Sequence, residues 1–175
     1  MNLTDTITRL ERLLPDPSSG LPEQVFHAVS RMTPMVNVDL LVQDENGRTL
    51  LAWRDDPLSG AGWHIHGGVI RFRERLEHRL MKVAELEIGA PVSFDPLPLA
   101  VNQLIDPSLP ARGHFISILY RCFLGSAFVP MNSGRSSASP GYLGWHDSCP
   151  PDLIKVHEIY RPYFHKNSQE GRAGP

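Results

Sequence analysis

Long apolar runs are missing from these 175 residues, and so are cysteine pairs and any excess of one charge. No stretch approaches the ~20 consecutive apolar residues that a bilayer-spanning helix needs. The opening segment MNLTDTITRLERLLPD carries charges throughout and has no apolar centre, so it does not read as a signal peptide. The expectation is a cytoplasmic protein that does not engage a membrane. Cys122 and Cys149 lie far apart without a CxxC spacing, which argues against a zinc site or a disulfide framework and for free thiols. Lys and Arg total 17 against 19 Asp and Glu, a net charge of −2, and this balance offers no electrostatic footprint for nucleic acid. An acidic small molecule stays open as a ligand, because a pocket can differ from the average. There is no internal repeat, and the length suits one domain with a substantial core.

What is present is a set of alternating strand and helix patterns. Ile7, Leu10, Leu13 and Leu14 form a helical stripe over Thr4 to Leu14, which Pro15 and Pro17 end. Pro22 to Ser30 reads as a second short helix with proline in its first turn. Val36 to Gln43 (VNVDLLVQ) and Thr49 to Arg54 (TLLAWR) flank the turn Asp44-Glu45-Asn46-Gly47, a hairpin pattern. Trp63 to His66 reads as a short strand ending at Gly67-Gly68. Arg73 to Leu86 is helical, with Leu76, Leu80, Val83 and Ala84 at core spacing and Gly89 and Pro91 as its stop. Leu97 to Ile105, His114 to Leu124 and Tyr142 to His146 read as strands, and Pro151 to Tyr163 as a closing helix. Met131 to Gly141 is rich in serine and glycine and reads as a mobile loop. The sum is an α/β protein, a mixed sheet packed between helices.

The stretch from Gly67 to Gly89 carries the chemistry. Glycines let backbone come close to a ligand, since no Cβ intervenes. Glu74, Glu77, Glu85 and Glu87 on the following helix are oxygen donors of the kind Mg²⁺ takes, alongside water and substrate phosphate. The plainer alternative is a tight turn followed by a solvated charged helix. His64 and His66 alternate on one strand and so share a face, and His66 abuts the glycines. His66 is a candidate substrate ligand or base, and His146 a second candidate base; packing is the alternative for each. His157 reads as structural. Trp53, Trp63 and Trp145 read as core residues.

Residues 68–90 resemble the Nudix box of the MutT-like hydrolases. Gly68 falls on its first glycine, Glu74 on its first glutamate, Glu87 on its last glutamate and Gly89 on its closing glycine. Lys82 stands where that box has arginine, and Val83 and Leu86 where it has two further glutamates. Keeping mainly the last glutamate is similar to the GDP-mannose mannosyl hydrolase branch. The stretches VSRMTPMVNVDLLVQDENGRTLLAWRDDPLSGAGWHIHGG and KVHEIYRPYF resemble that branch too. The resemblance implies a Nudix α/β/α sandwich over residues 25–165, an N-terminal helical extension over 1–24, a tail over 166–175, and a homodimer.

It also implies a set of roles. Glu87 and the Gly67 backbone would hold Mg²⁺, or Mn²⁺ in its place. Arg54 would steady a leaving diphosphate, and Glu74 joins it in the catalytic set. Asp39, Arg54 and Gly68 would contact substrate, with Arg71 and His114 at the rim. The sequence departs from the branch at Val69, where an arginine is expected and Arg71 stands two residues on. It departs again near Leu104, which replaces a histidine, and at Ala138 and Ser139, which replace a metal-binding glutamine and a basic histidine. The function implied is hydrolysis of a nucleoside diphosphate sugar to sugar and nucleoside diphosphate. A catalytically weak nucleotide-sugar binding module and a pyrophosphohydrolase of the ADP-ribose type are the alternatives.

Overall fold

The chain opens with two helices that precede the sheet. In the computed structural model, which describes residues 2–14 and 16–164, α1 spans Leu3–Leu13 and α2 Glu23–Ser30. Asn2 and Asp5 cap α1 reciprocally: the Asn2 side chain accepts from Asp5 N, and the Asp5 carboxylate accepts from Asn2 N. The stripe Leu3, Ile7, Leu10 and Leu13 is exposed, and no residue of α1 is buried. Pro15 and the expected tail 166–175 lie outside the described residues. The expected boundary at residue 25 falls inside α2.

Strand β1 (Met35–Gln43) sits at the centre of the eight-stranded sheet. Its turn into β2 (Thr49–Asp56) is built by Asp44, whose carboxylate accepts from Asn46 N, Arg48 N and Arg48 Nε. The hairpin splays at once: only Gln43 and Thr49 pair. β1 then runs parallel to β7 (His114–Phe123) over its whole length, and β2 pairs β8 (Leu143–His146). The gap that opens is filled by one crossing strand. Its first half, β3 (Gly60–His64), pairs β2, and its second half, β4 (His66–Val69), pairs β1, with Ile65 as the joint. The expectation that this strand ends at Gly67-Gly68 is corrected. Both glycines lie inside the ladder, opposite Asp39 and Val38. Glycine weakens a strand yet marks a place where another group comes close.

Helix α3 spans Leu76–Val83 and runs on as a π turn, Ala84–Ile88, that ends at Gly89 with φ 77°. The helix starts later than expected because Arg73 has φ 59°, outside helical space. Leu80, Val83, Ala84 and Ile88 pack on Val38, Leu40 and Val42 on one face of the sheet. On the other face Leu41, Leu51, Ile65 and Leu119 meet Leu153, Tyr160 and Phe164 of the closing segment, a 3₁₀ helix over Lys155–Phe164. Two short strands, β5 (Ser93–Phe94) and β6 (Ala100–Ile105), finish the β7 side. The expected α/β architecture, a mixed sheet between helical layers, is the observed one. Among the described residues no helix is long and apolar enough to cross a membrane.

The loop 131–141, expected to be mobile, is bonded near its start to β8. The Asn132 amide donates to Leu143 O at 2.8 Å and accepts from Leu143 N at 2.9 Å. The closing segment docks on the crossing strand through Trp63, which donates to Asp152 O and accepts from Ile154 N, both at 2.9 Å. Gly62 makes this docking possible, since a Cβ there would stand 2.5 Å from Asp152 O. Gly62→Ala is therefore expected to cost about 1–3 kcal/mol by overpacking, read as a lower urea midpoint. An unchanged midpoint would mean the segment docks with slack.

Candidate functional site

The crossing strand brings two carboxylates together from opposite faces of the sheet. Asp39 is buried on β1, beside Gly67. Its Oδ2 accepts from Ser117 Oγ and Tyr160 Oη, each at 2.5 Å, and its Oδ1 from Asn37 Nδ2 at 2.8 Å. Burial pushes its acid up to about 6; the three donors hold it down, and the negative charge of Glu87 raises it further. Any Cβ at residue 67 would overlap the Asp39 carboxylate, so the glycine is required there. Glu87 comes from the π turn. Its Oε2 faces His66 Nδ1 at 3.3 Å and Gly67 N at 3.4 Å. Its side chain is a third exposed.

Beside this pair lies a cleft of about 270 Å³, with Asp39, Arg54 and Gly67 on its walls together with Arg112, Lys155 and His157. Arg54 and His64 also line a second, more open recess of about 510 Å³, which holds Glu87, Met131 and Arg135. Arg54 lies 3.5 Å from Asp56, a partly exposed pair, so its guanidinium is not locked in a buried ion pair. His64 and His157 stand with ring centroids 6.0 Å apart. Burial, with the charge of Arg54 next, pushes His64 down to about 2 and His157 to about 3, so both are neutral at neutral pH. His157 Nδ1 accepts from Ile65 N at 3.1 Å. His64 Nδ1 and His66 Nε2 are buried without a hydrogen-bond partner among the described residues.

The other expected residues are dispersed. Gly68 lines the cleft, and its missing Cβ would meet Val83. Glu74 is buried against the start of α3, where it accepts from Arg71 N at 2.9 Å and Arg79 Nε at 2.8 Å, with His78 Nδ1 also at 2.8 Å. Burial pushes its carboxyl up, but these partners hold it below the usual range. Arg71 lies by Gly20, in a separate recess under the N-terminal segment. His114 faces Gln103 on the β6–β7 hairpin. His146 lies edge-on to Trp63, ring centroids 4.3 Å apart. Val69 and Leu104, where the resembled branch has basic residues, both line the cleft.

Sequence reasoning missed Asn37, Arg112, Ser117, Lys155 and Tyr160, and read His157 as structural only. Asn37 and Asp39 share one face of an otherwise apolar strand, a pattern that marks an inward polar pair. Arg112 carries no such signal: it sits at the cleft rim with φ 61°, its N–H donated to Ser30 Oγ.

Among the described residues no three His, Cys, Asp or Glu side chains converge as a ready metal centre. Val83 is buried in the core, Leu86 is exposed, and Glu85 pairs with Lys82. Glu87 remains, and its Oε1 has no hydrogen-bond partner among the described residues. This donor set fits an ion held by one carboxylate and completed by phosphate and water, the usual habit of Mg²⁺.

No protein-family model matches the chain. It is 30% identical over 137 residues to the low-salt glycan biosynthesis protein Agl8 of Haloferax volcanii, an alignment covering 74% of this chain and 86% of that protein. Among solved structures it is similar to a MutT NUDIX hydrolase from Burkholderia pseudomallei, with TM-score 0.56 and 22% identity, covering 74% of this chain and 97% of that one. A NUDIX hydrolase from Nitrosomonas europaea gives TM-score 0.56 and 21% identity, covering 75% and 70%. These structural likenesses establish the Nudix fold.

The buried histidines make stability fall in acid. Unfolded, His64 and His157 take up protons near pH 6.5; folded, only near 2 and 3. Between those limits the unfolded chain binds more protons, so lowering the pH destabilises the fold. Asp39 acts the other way: the folded chain binds its proton at about 6, the unfolded chain near 3.8. At pH 5 each histidine costs about 2 kcal/mol and Asp39 offsets about 1, a net loss of about 3 kcal/mol relative to pH 7. The melting temperature should drop accordingly, and His64→Phe should remove more than half of the drop. Equal melting temperatures at pH 5 and 7 would refute the neutral-histidine assignment.

Proposed function

Since the chain belongs to the family of the Haloferax volcanii protein Agl8 and has the Nudix fold, we propose that it is a divalent-metal-dependent hydrolase of a nucleoside diphosphate sugar. The observation that carries this reading is the cleft itself. Arg54, Arg112 and Lys155 place three cations on walls shared with Asp39 and Gly67, one strand away from Glu87. Cations so placed suit a diphosphate, and they act most strongly where negative charge grows as a bond to it breaks. The name of the relative, a glycan biosynthesis protein, favours a glycosyl group on the other side of that bond.

Each residue has a task in this reading. Arg54 stands between the cleft and the recess and receives the charge of the leaving diphosphate. Asp39, held by Ser117, Tyr160 and Asn37, presents a fixed negative charge to the sugar-bearing end. Gly67 and Gly68 let the ligand approach the backbone. Glu74 positions the box helix rather than the ligand, because all its contacts lie within residues 71–79. A divalent ion bound at Glu87 would neutralise phosphate oxygens. Attack at carbon is favoured over attack at phosphorus, because Val83 and Leu86 stand where the resembled box has two further metal-binding carboxylates.

One observation favours a second reading, a binding module without turnover. The histidines of the cleft are held neutral far below the range of a useful general base. Ser139, where the resembled branch has its base, bonds only to its neighbour Ser136 through its side chain.

Product analysis separates the readings. Purified protein with Mg²⁺ is incubated with a panel of nucleotide sugars and ADP-ribose, and products are resolved by ion exchange. Free sugar plus nucleoside diphosphate is expected. Nucleoside monophosphate plus sugar phosphate would mean attack at phosphorus, and binding without products would mean the second reading. In an active protein, Arg54→Ala should lower kcat/KM about a hundredfold. Glu87→Gln should lower kcat by a similar factor while the melting temperature holds.

A further inference from the structure

Resting on the reading that the cleft takes a nucleoside diphosphate, we propose that helix α2, ahead of the sheet, is part of the ligand site. Ser30 and Phe26 position Arg112, and Arg112 grips the diphosphate together with Arg54.

The backbone of Arg112 carries this. Its φ of 61° lies in the left-handed region, where a Cβ is crowded and glycine is the residue without strain. Such a conformation persists only where the surroundings impose it. Three restraints do so here. Gly113 lets the loop between β6 and β7 close, since a Cβ there would stand 2.6 Å from Asp106 O and 2.8 Å from Leu109 O. Asp106 N then donates to Gly113 O at 2.8 Å and ties the two ends of the loop. From α2, the buried Ser30 Oγ accepts from Arg112 N at 3.1 Å while donating to His27 O at 3.0 Å. The third restraint acts on the side chain. Its guanidinium carbon lies 5.6 Å from the centroid of the Phe26 ring, within cation–π range.

A glycine would make the same turn without strain, so the turn itself does not call for arginine. Among the described residues the Arg112 guanidinium makes no hydrogen bond and no ion pair, and only its backbone N–H is engaged. It is exposed on the wall of the cleft that also holds Arg54. Both cations act on Asp56. Burial raises that carboxyl, but the N–H groups of Ser59 and Leu58 and the charges of Arg54 and Arg112 hold it below the usual range. One carboxylate cannot neutralise two guanidiniums. The planar fork of arginine suits a two-point grip on phosphate oxygens. A strained position braced from a distant helix, with an unclaimed guanidinium as its product, serves a ligand rather than stability.

Calorimetry with Mg²⁺ and ADP, CDP, GDP or UDP tests this, alongside thermal melts. The diphosphate that the wild-type protein binds best is carried to the variants. Arg112→Gly removes the strain together with the guanidinium. Affinity should fall about tenfold or more, while the melting temperature holds or rises. Ser30→Ala and Phe26→Leu should each weaken binding about threefold or more in the wild-type background. In the Arg112→Gly background neither should weaken it further, because both act only through Arg112. Unchanged affinity in Arg112→Gly overturns the proposal and leaves the functional reading standing. A melting temperature that falls with the affinity also overturns it, since Arg112 would then be a structural prop. Equal losses from Ser30→Ala in both backgrounds would remove α2 from the site. A wild-type protein that binds none of the diphosphates would overturn this proposal and the functional reading together.

Discussion

Everything around the candidate site depends on how closely β4 passes Asp39. The carboxylate lies where the side chain of residue 67 would be, so the ladder closes only because that residue is glycine. A buried carboxylate needs donors, and they come from three places: Asn37 on its own strand, Ser117 on β7 and Tyr160 on the closing helix. An unpaired buried charge would cost far more than these bonds return. The closing helix is thus anchored to the sheet centre by the same group that shapes the cleft. The docking of the second layer and the shape of the site therefore rest on one carboxylate.

The box helix follows a similar logic on the opposite face. Glu74 gathers Arg71 N, Arg79 and His78, and so fixes where α3 begins. The π turn then inserts an extra residue, a device that recurs at functional sites. It keeps Ala84 and Ile88 in the core while Glu87 is carried to β4. Hydrophobic packing of Leu80, Val83 and Ala84 is enough to keep the frame of the box. The frame therefore survives replacement of carboxylates at Val83 and Leu86, and the fold alone does not specify the reaction.

Charge inside the cleft is divided rather than balanced. Arginine and lysine occupy the walls, the two cleft histidines are kept neutral by burial, and the one buried acid is restrained by three donors. The cleft therefore carries its positive charge on arginine and lysine and not on imidazole. Val69 and Leu104 add apolar surface to the cleft where the resembled branch has polar groups.

Local pattern in the chain was enough for much of this. Apolar, β-branched runs located β1, β2 and β7, helical spacing located α3, and Gly89 marked its end with the positive φ that glycine allows. The spacing of Gly68, Glu74 and Glu87 placed the candidate site on the strand–helix junction. Other features were decided only by tertiary structure. Gly67 and Gly68 look like a strand end, yet they continue a ladder because Asp39 needs the room. Tyr160 reaches Asp39 across 121 residues, and Lys155 and His157 reach the cleft from the same closing helix. Arg112 is held at the rim by Ser30, 82 residues away. Periodicity and turn chemistry act between near neighbours, and the sequence states them openly. Which buried polar groups must share a donor is settled when distant segments exclude water together, and no local pattern records it.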